Sequence, residues 1–465
     1  MKYLHHSISV LMLCVPILLL GQDRTNVLFI MSDDLNNHIG AYGDSLVKTP
    51  NLDRLAKEGI LFEKSYCQYP LCGPSRASLM TGIRPDELGM VTNENHIRDQ
   101  IEDLVTLPQL FKENGYFTAR AGKIYHYNVP AGIGTDGADD PVSWNETRNP
   151  SGRDKEIEDE VTIFGSNKNL GTAFAIYNDT LDNDLTHTDG MVATEVIAMM
   201  KEHKDEPFFI GAGFFRPHCP YVAPKKYFDL YDLDAIDIAQ IPEYYVGTVP
   251  ELALMALKGP KDTIEQKRVI QAYLASISYM DACVGRLLDA LDSLGLAENT
   301  IVVFASDHGY NLGEHTLWQK MNLFETATRA PLLIRIPKGP SGKVKQLVEM
   351  LDVYPTIAEL CNLKVPEAVE GSSMVELMEG KDKNWKNQAV SVVARRLYSN
   401  EKKNHGYTFA GKTIRTPNYR YTEWMEGSAG IELYDLKKDP MEMNNLARSK
   451  AYQKHIKRLK KRLRQ

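Results

Sequence analysis

The chain is poor in cysteine, has no excess of positive charge and holds almost no long apolar run. Each scarcity closes off a class of protein. Six cysteines are scattered through 465 residues, which is no disulfide framework of the kind that holds small secreted domains together. Cys14 falls in the N-terminal apolar run. The remaining Cys67, Cys72, Cys219, Cys283 and Cys361 form an odd set whose spacing shows no pairing, and burial as free thiols is the expectation. Lys and Arg number 54 against 61 Asp and Glu, a net charge of -7, so no basic surface dominates and nucleic acid is not an expected partner. An anionic substrate would need a local basic pocket. No internal repeat is evident. The apolar run Ile8 to Leu20 is shorter than the roughly 18–20 residues of a membrane span and contains Pro16. Lys2 precedes it and Gly21-Gln22 follows it, so residues 1–21 read as a signal peptide and no stable membrane span is expected. Leu13 before Cys14 argues against a lipoprotein anchor. The mature chain is therefore expected to be secreted or periplasmic.

What is present is an ordinary globular composition, 43% hydrophobic and 25% charged, on a chain long enough for a large core and two structural units. Asn26 to Met31 is a buried-strand run that delivers Ser32-Asp33-Asp34 at its C-terminal end. Similar runs are Pro207 to Phe214, Thr300 to Phe304 and Leu332 to Ile336. Thr49-Pro50 reads as a helix start, residues 264–294 carry a long helical periodicity, and Pro74-Ser75-Arg76 leads into a helix near Ala77. Strands alternating with helices predict an α/β fold with a large, mostly parallel sheet flanked by helices. Open sheets of this kind place their sites at the C-terminal strand ends. Residues 127–185 are polar and Gly/Asp/Asn-rich and read as a long surface excursion facing substrate. From about residue 385 short strand runs suggest a smaller antiparallel sheet. The reading is a catalytic domain over residues 22–384 and a C-terminal α+β subdomain over 385–465. The latter ends in a basic amphipathic helix near Tyr452 to Leu463, which is expected to dock its apolar face on the body.

Four groups of residues carry chemistry. Asp33 and Asp34 end one strand and Asp307-His308 another. Carboxylates that converge at a sheet edge repel unless a cation joins them, and hard oxygen donors favour Ca²⁺ or Mg²⁺. Cys72-Gly-Pro-Ser-Arg76-Ala-Ser-Leu-Met-Thr-Gly82 is a dense local pattern that a small buried hydrophobe would not require. Arg216-Pro-His218-Cys-Pro220 follows strand-like sequence, and Gly122-Lys123-Ile-Tyr-His126 sets a Lys three residues before a His. The stretch Ser306-Asp307-His308-Gly309 continues through Gly313-Glu314-His315 to Trp318-Gln319-Lys320.

The Cys72 pattern resembles the C-x-P-S-R-x-x-L-x-T-G signature of type I, formylglycine-dependent sulfatases at every fixed position. The chain is identified on these motifs as a member of that family, similar to its iduronate-2-sulfatase-like subgroup. The G-K-x-x-H, [KR]-P-H-x-P and S-D-H-G-x-x-L-G-E-H-x-x-W-x-K segments and the late Glu432 to Leu446 motif stand in family order. The resemblance implies an alkaline-phosphatase-like fold and a sulfuric ester hydrolase. It implies that Cys72 is oxidised to formylglycine by a formylglycine-generating or anaerobic sulfatase-maturating enzyme. Asp33, Asp34, residue 72, Asp307 and His308 would be the metal ligands, with Ca²⁺ expected and Mg²⁺ as the alternative. His308 stands where most members carry Asn, and a hydrogen bond that orients a metal ligand is its other reading.

By the same resemblance Arg76 would hold the hydrated formylglycine, Lys123 would contact sulfate and the modified residue, and Lys320 would contact sulfate or share the acid role. His218 would contact substrate and protonate the leaving alcohol, and His126 would take the remaining hydroxyl proton as sulfate leaves. Arg216 replaces the usual Lys, which keeps the charge and changes the donor geometry. Glu325 and Arg329 suit an i,i+4 helix pair with a structural role, and His315 is read as structural. The implied substrate is a sulfated carbohydrate such as ulvan, fucoidan or a glycosaminoglycan. The rival readings are a phosphate or phosphonate ester hydrolase on the same fold and a non-catalytic glycan-binding relative whose Cys72 stays a thiol.

Overall fold

A computed structural model describes residues 24–99, 101, 103–396 and 406–464; the predicted signal peptide lies outside them. An eight-stranded sheet forms the centre, in the order Gly342–Glu349, Ile60–Tyr66, Leu332–Arg335, Thr300–Ser306, Asn26–Asp33, Phe208–Pro217, Phe117–Gly122 and Glu146–Arg148. All neighbours run parallel except Leu332–Arg335, which is antiparallel to both of its partners. The central strand Asn26–Asp33 is buried at every position. Its side chains alternate between two cores. Leu28 and Ile30 face the long helix Thr263–Ser293, while Val27, Phe29 and Met31 face the opposite layer. A strand covered on both faces must read as a continuous apolar run, which is why these strands were legible.

The long helix begins where Asp262 accepts from the backbone of Ile264 and Glu265. It packs with helix Thr188–Glu202 over one face of the sheet. Among the described residues no helix is long and apolar enough to cross a membrane. The remaining cysteines are free and buried.

The excursion over 127–185 is more structured than its composition indicates. Glu146–Arg148 adds a strand to the main sheet, and Arg153–Glu156 is a short helix. Thr162–Phe164 and Phe174–Asp179 join Tyr221–Pro224 in a three-stranded sheet. Much of its polar content is turned inward. Asp139 pairs with Arg120, Asp140 with Arg98 and Asp179 with Arg153. Three-residue strands and buried ion pairs leave no periodic apolar signal.

Ala389–Arg396, Tyr407–Arg415, Tyr419–Trp424 and Ile431–Asp435 form a four-stranded antiparallel meander. Helix Gln453–Leu463 seats Ile456, Leu459 and Leu463 against Ile414, Tyr421 and Leu433 of that sheet. Its basic side is not wholly free, because Lys460 and Arg464 reach Glu423. Glu325 does not form the predicted pair with Arg329. The helix there, Glu325–Thr328, stops one residue short. Glu325 instead pairs with Arg415 at 3.0 Å and Arg420 at 2.6 Å, and Arg329 donates to the Glu63 carbonyl. The Glu325 pairs tie the small sheet to the main body.

Candidate active site

The candidate residues converge at the C-terminal ends of adjacent strands. The central strand supplies Asp33 and leads to Asp34, while Thr300–Ser306 leads to Asp307 and His308. Phe117–Gly122 leads to Lys123 and His126, and Phe208–Pro217 to His218. The packing is close: a Cβ on Gly213 would lie 2.2 Å from the Lys123 carbonyl carbon. Lys320 follows the hairpin strand Trp318–Gln319. Cys72 opens the helix Cys72–Thr81, which starts earlier than the predicted position near Ala77. Pro74 is accommodated because it lies in the first turn, where its missing N–H costs no hydrogen bond. The earlier start puts residue 72 itself at the helix N-terminus.

Asp33, Asp34 and Asp307 are fully buried, with carboxylate oxygens within 4.8 Å of one another. Three cations of the chain face them. Lys123 Nζ lies 2.5 Å from Asp33 Oδ2, Arg76 Nε 3.0 Å from Asp307 Oδ2, and Lys320 Nζ bonds Asp34 Oδ1. Lys320 Nζ is also 3.0 Å from Cys72 Sγ. His308 Nε2 lies 3.5 Å from Cys72 Sγ and 3.4 Å from Asp34 Oδ1.

Arg76 is fully buried beside the cluster. Its N–H groups reach Asp307, the carbonyls of Lys123, Ile124 and Ser32, and Asp33. That engages the five donors of a guanidinium. Arg76 thereby organises the carboxylates and the Lys123 loop.

The histidines are held in defined tautomers. His308 Nδ1 donates to Gly309 O at 2.9 Å, so Nε2 is the ring atom that faces the carboxylates. His218 Nδ1 donates to Cys219 O at 2.6 Å, and its Nε2 stands 3.7 Å from Asp34 Oδ2. His126 Nε2 is 3.1 Å from Asn128 Oδ1, and its Nδ1 is buried without a partner. His315 stacks on Phe324 with ring centres 3.8 Å apart and bonds Tyr245, in keeping with a structural role.

Burial sets the proton balance. It opposes ionisation of Asp33 and Asp34, yet Lys123 and His218 for Asp33, and His218 and Lys320 for Asp34, outweigh it and hold both carboxyls low. Burial, and then Asp33, pushes the Cys72 thiol well above its ordinary value, so it is protonated and a poor nucleophile as a thiol. Burial lowers His218 to about 4 against the pull of Asp34. Burial and then Lys123 lower His126 to about 3.

A cavity of about 490 Å³ opens in front of His126 and His218 and is lined also by Asn93, Asn128, Lys155 and Glu158. A second, of about 460 Å³, runs past Asn37, Glu314 and Arg329 and touches none of the clustered side chains. Several supports were not visible in the sequence. Asp34 sits at φ 66°, a left-handed conformation, with the Tyr273 hydroxyl donating to its carbonyl at 2.7 Å. No sequence pattern marks that tyrosine, about three turns along the long helix, as a partner of the site.

A mostly parallel sheet with carboxylates, lysines and histidines gathered at its strand ends, and a separate antiparallel C-terminal sheet, defines a hydrolase of the alkaline-phosphatase-like fold class. Residues 25–363 match the Sulfatase family, and residues 313–465 match the N-sulphoglucosamine sulphohydrolase C-terminal family. The chain belongs to the sulfatase family and is a sulfuric ester hydrolase. It is 34% identical over 458 residues to a sulfatase of Formosa agariphila, an alignment covering 94% of this chain and 86% of that protein. It is 32% identical over 508 residues to human iduronate 2-sulfatase, covering 91% of each. Among solved structures, BT4656 in complex with its substrate D-glucosamine-2-N,6-O-disulfate superposes with a TM-score of 0.72 at 22% identity. That match covers 95% of this chain and 97% of the other.

Proposed function

We propose that this protein is an exported sulfatase that removes sulfate from a sulfated carbohydrate, using formylglycine formed from Cys72 and a divalent cation, Ca²⁺ or Mg²⁺. One observation carries the reading: Cys72 Sγ, a protonated and inaccessible thiol, lies at the centre of the cluster, within 3.0–3.8 Å of Lys320, His308 and Asp34. The carbohydrate part is supported by the relatives, which include an iduronate 2-sulfatase and a glucosamine-disulfate complex. The cavity in front of the histidines, edged by amides and by the Lys155–Glu158 pair, suits a hydroxylated ring. In this reading residues 22–384 are the catalytic unit and 385–465 the C-terminal subdomain.

The donor set fits a hard cation. Asp33, Asp34 and Asp307 would hold it, with residue 72 and with His308, whose Nε2 faces the cluster and whose Nδ1–H is anchored to a carbonyl. Bound there, the cation supplies positive charge to sulfate oxygens, and the modified residue 72 supplies the attacking oxygen. The rest falls to this chain's side chains. Lys123 and Lys320 present ammonium groups where negative charge collects. His218 Nδ1–H is committed to Cys219 O, so Nε2 is the atom that, once the ring is protonated, would donate to the departing alcohol oxygen. His126 donates through Nε2 to Asn128, which leaves Nδ1 as the basic nitrogen. Arg76 and Tyr273 keep the carboxylates and the Asp34 backbone in place.

The test is the mass of the peptide containing residue 72, from protein co-expressed with a maturation enzyme. The mass change for replacing CH₂–SH by an aldehyde is expected, together with sulfate release from a sulfated oligosaccharide. An unmodified thiol in fully active enzyme would overturn the formylglycine reading.

A further inference from the structure

Arg216 is buried at 2% exposure, and its hydrogen bonds go elsewhere than to the carboxylate cluster. Its Nη2 lies 2.7 Å from Asp154 Oδ2, while Nη1 donates to the main-chain carbonyl of His218 at 2.9 Å. Asp154 is fixed in turn, because its Oδ1 accepts from the Thr188 backbone at 2.7 Å and from the Thr188 hydroxyl at 2.6 Å. The strand entering this segment is held too: Asp189 accepts from the backbone of Phe215 at 2.8 Å and of Arg216 at 3.0 Å.

The His218 ring takes its orientation from the same stretch of backbone, since Nδ1 donates to Cys219 O. A path of direct contacts therefore runs from Asp154 through Arg216 to the residue 218 carbonyl and the imidazole beside it. A buried Arg–Asp pair gives little net stability, because desolvating two charges offsets their attraction. A guanidinium does, however, join two acceptors at a fixed angle, which an ammonium does not.

We infer that Arg216 and Asp154 are positioning residues for His218, an inference that rests on the reading of His218 as proton donor to the leaving alcohol. They touch neither the metal ligands nor the cavity. They set where His218 Nε2 stands relative to the oxygen it protonates. Asp154 belongs to the short helix Arg153–Glu156, whose Lys155 faces the cavity. One four-residue element thus edges the cavity on one side and supports the proton donor on the other.

The experiment compares two substrates with matured enzyme: a sulfated methyl glycoside, whose alkoxide leaving group needs a proton, and 4-nitrophenyl sulfate, whose phenolate does not. Arg216→Lys and Asp154→Asn should each lower kcat on the glycoside by roughly 10–100-fold, the scale of a misplaced catalytic group. KM should stay nearly unchanged, and turnover of the aryl sulfate should fall by less than about threefold. His218→Ala, run alongside, should show the same selectivity, and adding Arg216→Lys to it should bring no further selective loss. Equal losses on both substrates in the Arg216 and Asp154 variants, with a selective His218→Ala, would overturn the positioning role and leave the proton-donor reading standing. Equal losses in His218→Ala would overturn that reading itself. If neither Arg216→Lys nor Asp154→Asn folds, the pair serves global stability and the inference fails.

Discussion

The Lys320 ammonium joins Asp34 and Cys72: the nitrogen bonded to Asp34 Oδ1 lies 3.0 Å from Cys72 Sγ. Burial works against its charge, but Asp34 and then Cys72 more than compensate, and Lys320 is held well above its ordinary pKa. It is a permanent cation beside the residue proposed as nucleophile. Lys320→Ala should lower kcat on any sulfate ester by roughly 100–1,000-fold, the cost of removing one preorganised donor. Wild-type turnover in that variant would remove Lys320 from the chemistry.

Each buried carboxylate of the cluster already faces a cation of the chain: Lys123 for Asp33, Lys320 for Asp34 and Arg76 for Asp307. Charge is therefore balanced without an added ion. Chelation should abolish turnover and leave a folded protein with a cooperative thermal transition. Returning Ca²⁺ at 100 times its dissociation constant should restore activity and add about 2.7 kcal/mol of stability by linkage. Loss of the cooperative transition on chelation would show that the metal holds the fold.

Glu432 gives the cleanest pH signature away from the site. Burial raises its carboxyl to about 7, against hydrogen bonds from Trp424 at 2.6 Å and Tyr434 at 2.8 Å. Between the ordinary glutamate value of 4.5 and about 7 the folded chain keeps a proton that the unfolded chain has lost. Its contribution is thus fully present below pH 4.5, declines as pH rises through this window and is lost above about 7. Glu432→Gln should gain stability relative to wild type across that window, by up to roughly 3 kcal/mol. Parallel denaturation curves for the two proteins at pH 4.5 and 8 would refute the assignment.

Gly213 is required by space alone. An added Cβ would meet the Lys123 backbone at 2.2–2.4 Å, a clash no side-chain rotation relieves. Gly213→Ala should cost about 1–3 kcal/mol or more and reduce turnover, because the displaced backbone is that of Lys123. Gly247→Ala, with nothing within 4 Å of its added carbon, is the matched control and should be neutral in both assays.

The sequence showed most where a single physical demand governs many neighbouring residues. Strands buried on both faces read as unbroken apolar runs, and the carboxylates at their ends were legible with them. Ile60–Tyr66, Phe117–Gly122 and Gly342–Glu349 escaped notice because charged residues interrupt them: Glu63 and Lys64, Arg120, and Lys343 and Lys345. The misplaced Glu325–Arg329 pair has another cause. Glu325 was read by local spacing, but its partner Arg420 lies far along the chain, as does Asp307 from Arg76 and Asp154 from Arg216. Long polar side chains choose partners by tertiary proximity, which no local pattern encodes.

Cys72 is only 1% exposed, and every residue of the helix it opens is buried. Were residue 72 modified as proposed, a separate enzyme would have to reach both the thiol and the motif around it, and the finished fold offers neither. The consequence is one of timing. Oxidation of residue 72 would then have to precede closure of the sheet over this segment. Folding that outruns the maturation enzyme would then yield a stable, soluble and permanently inactive protein.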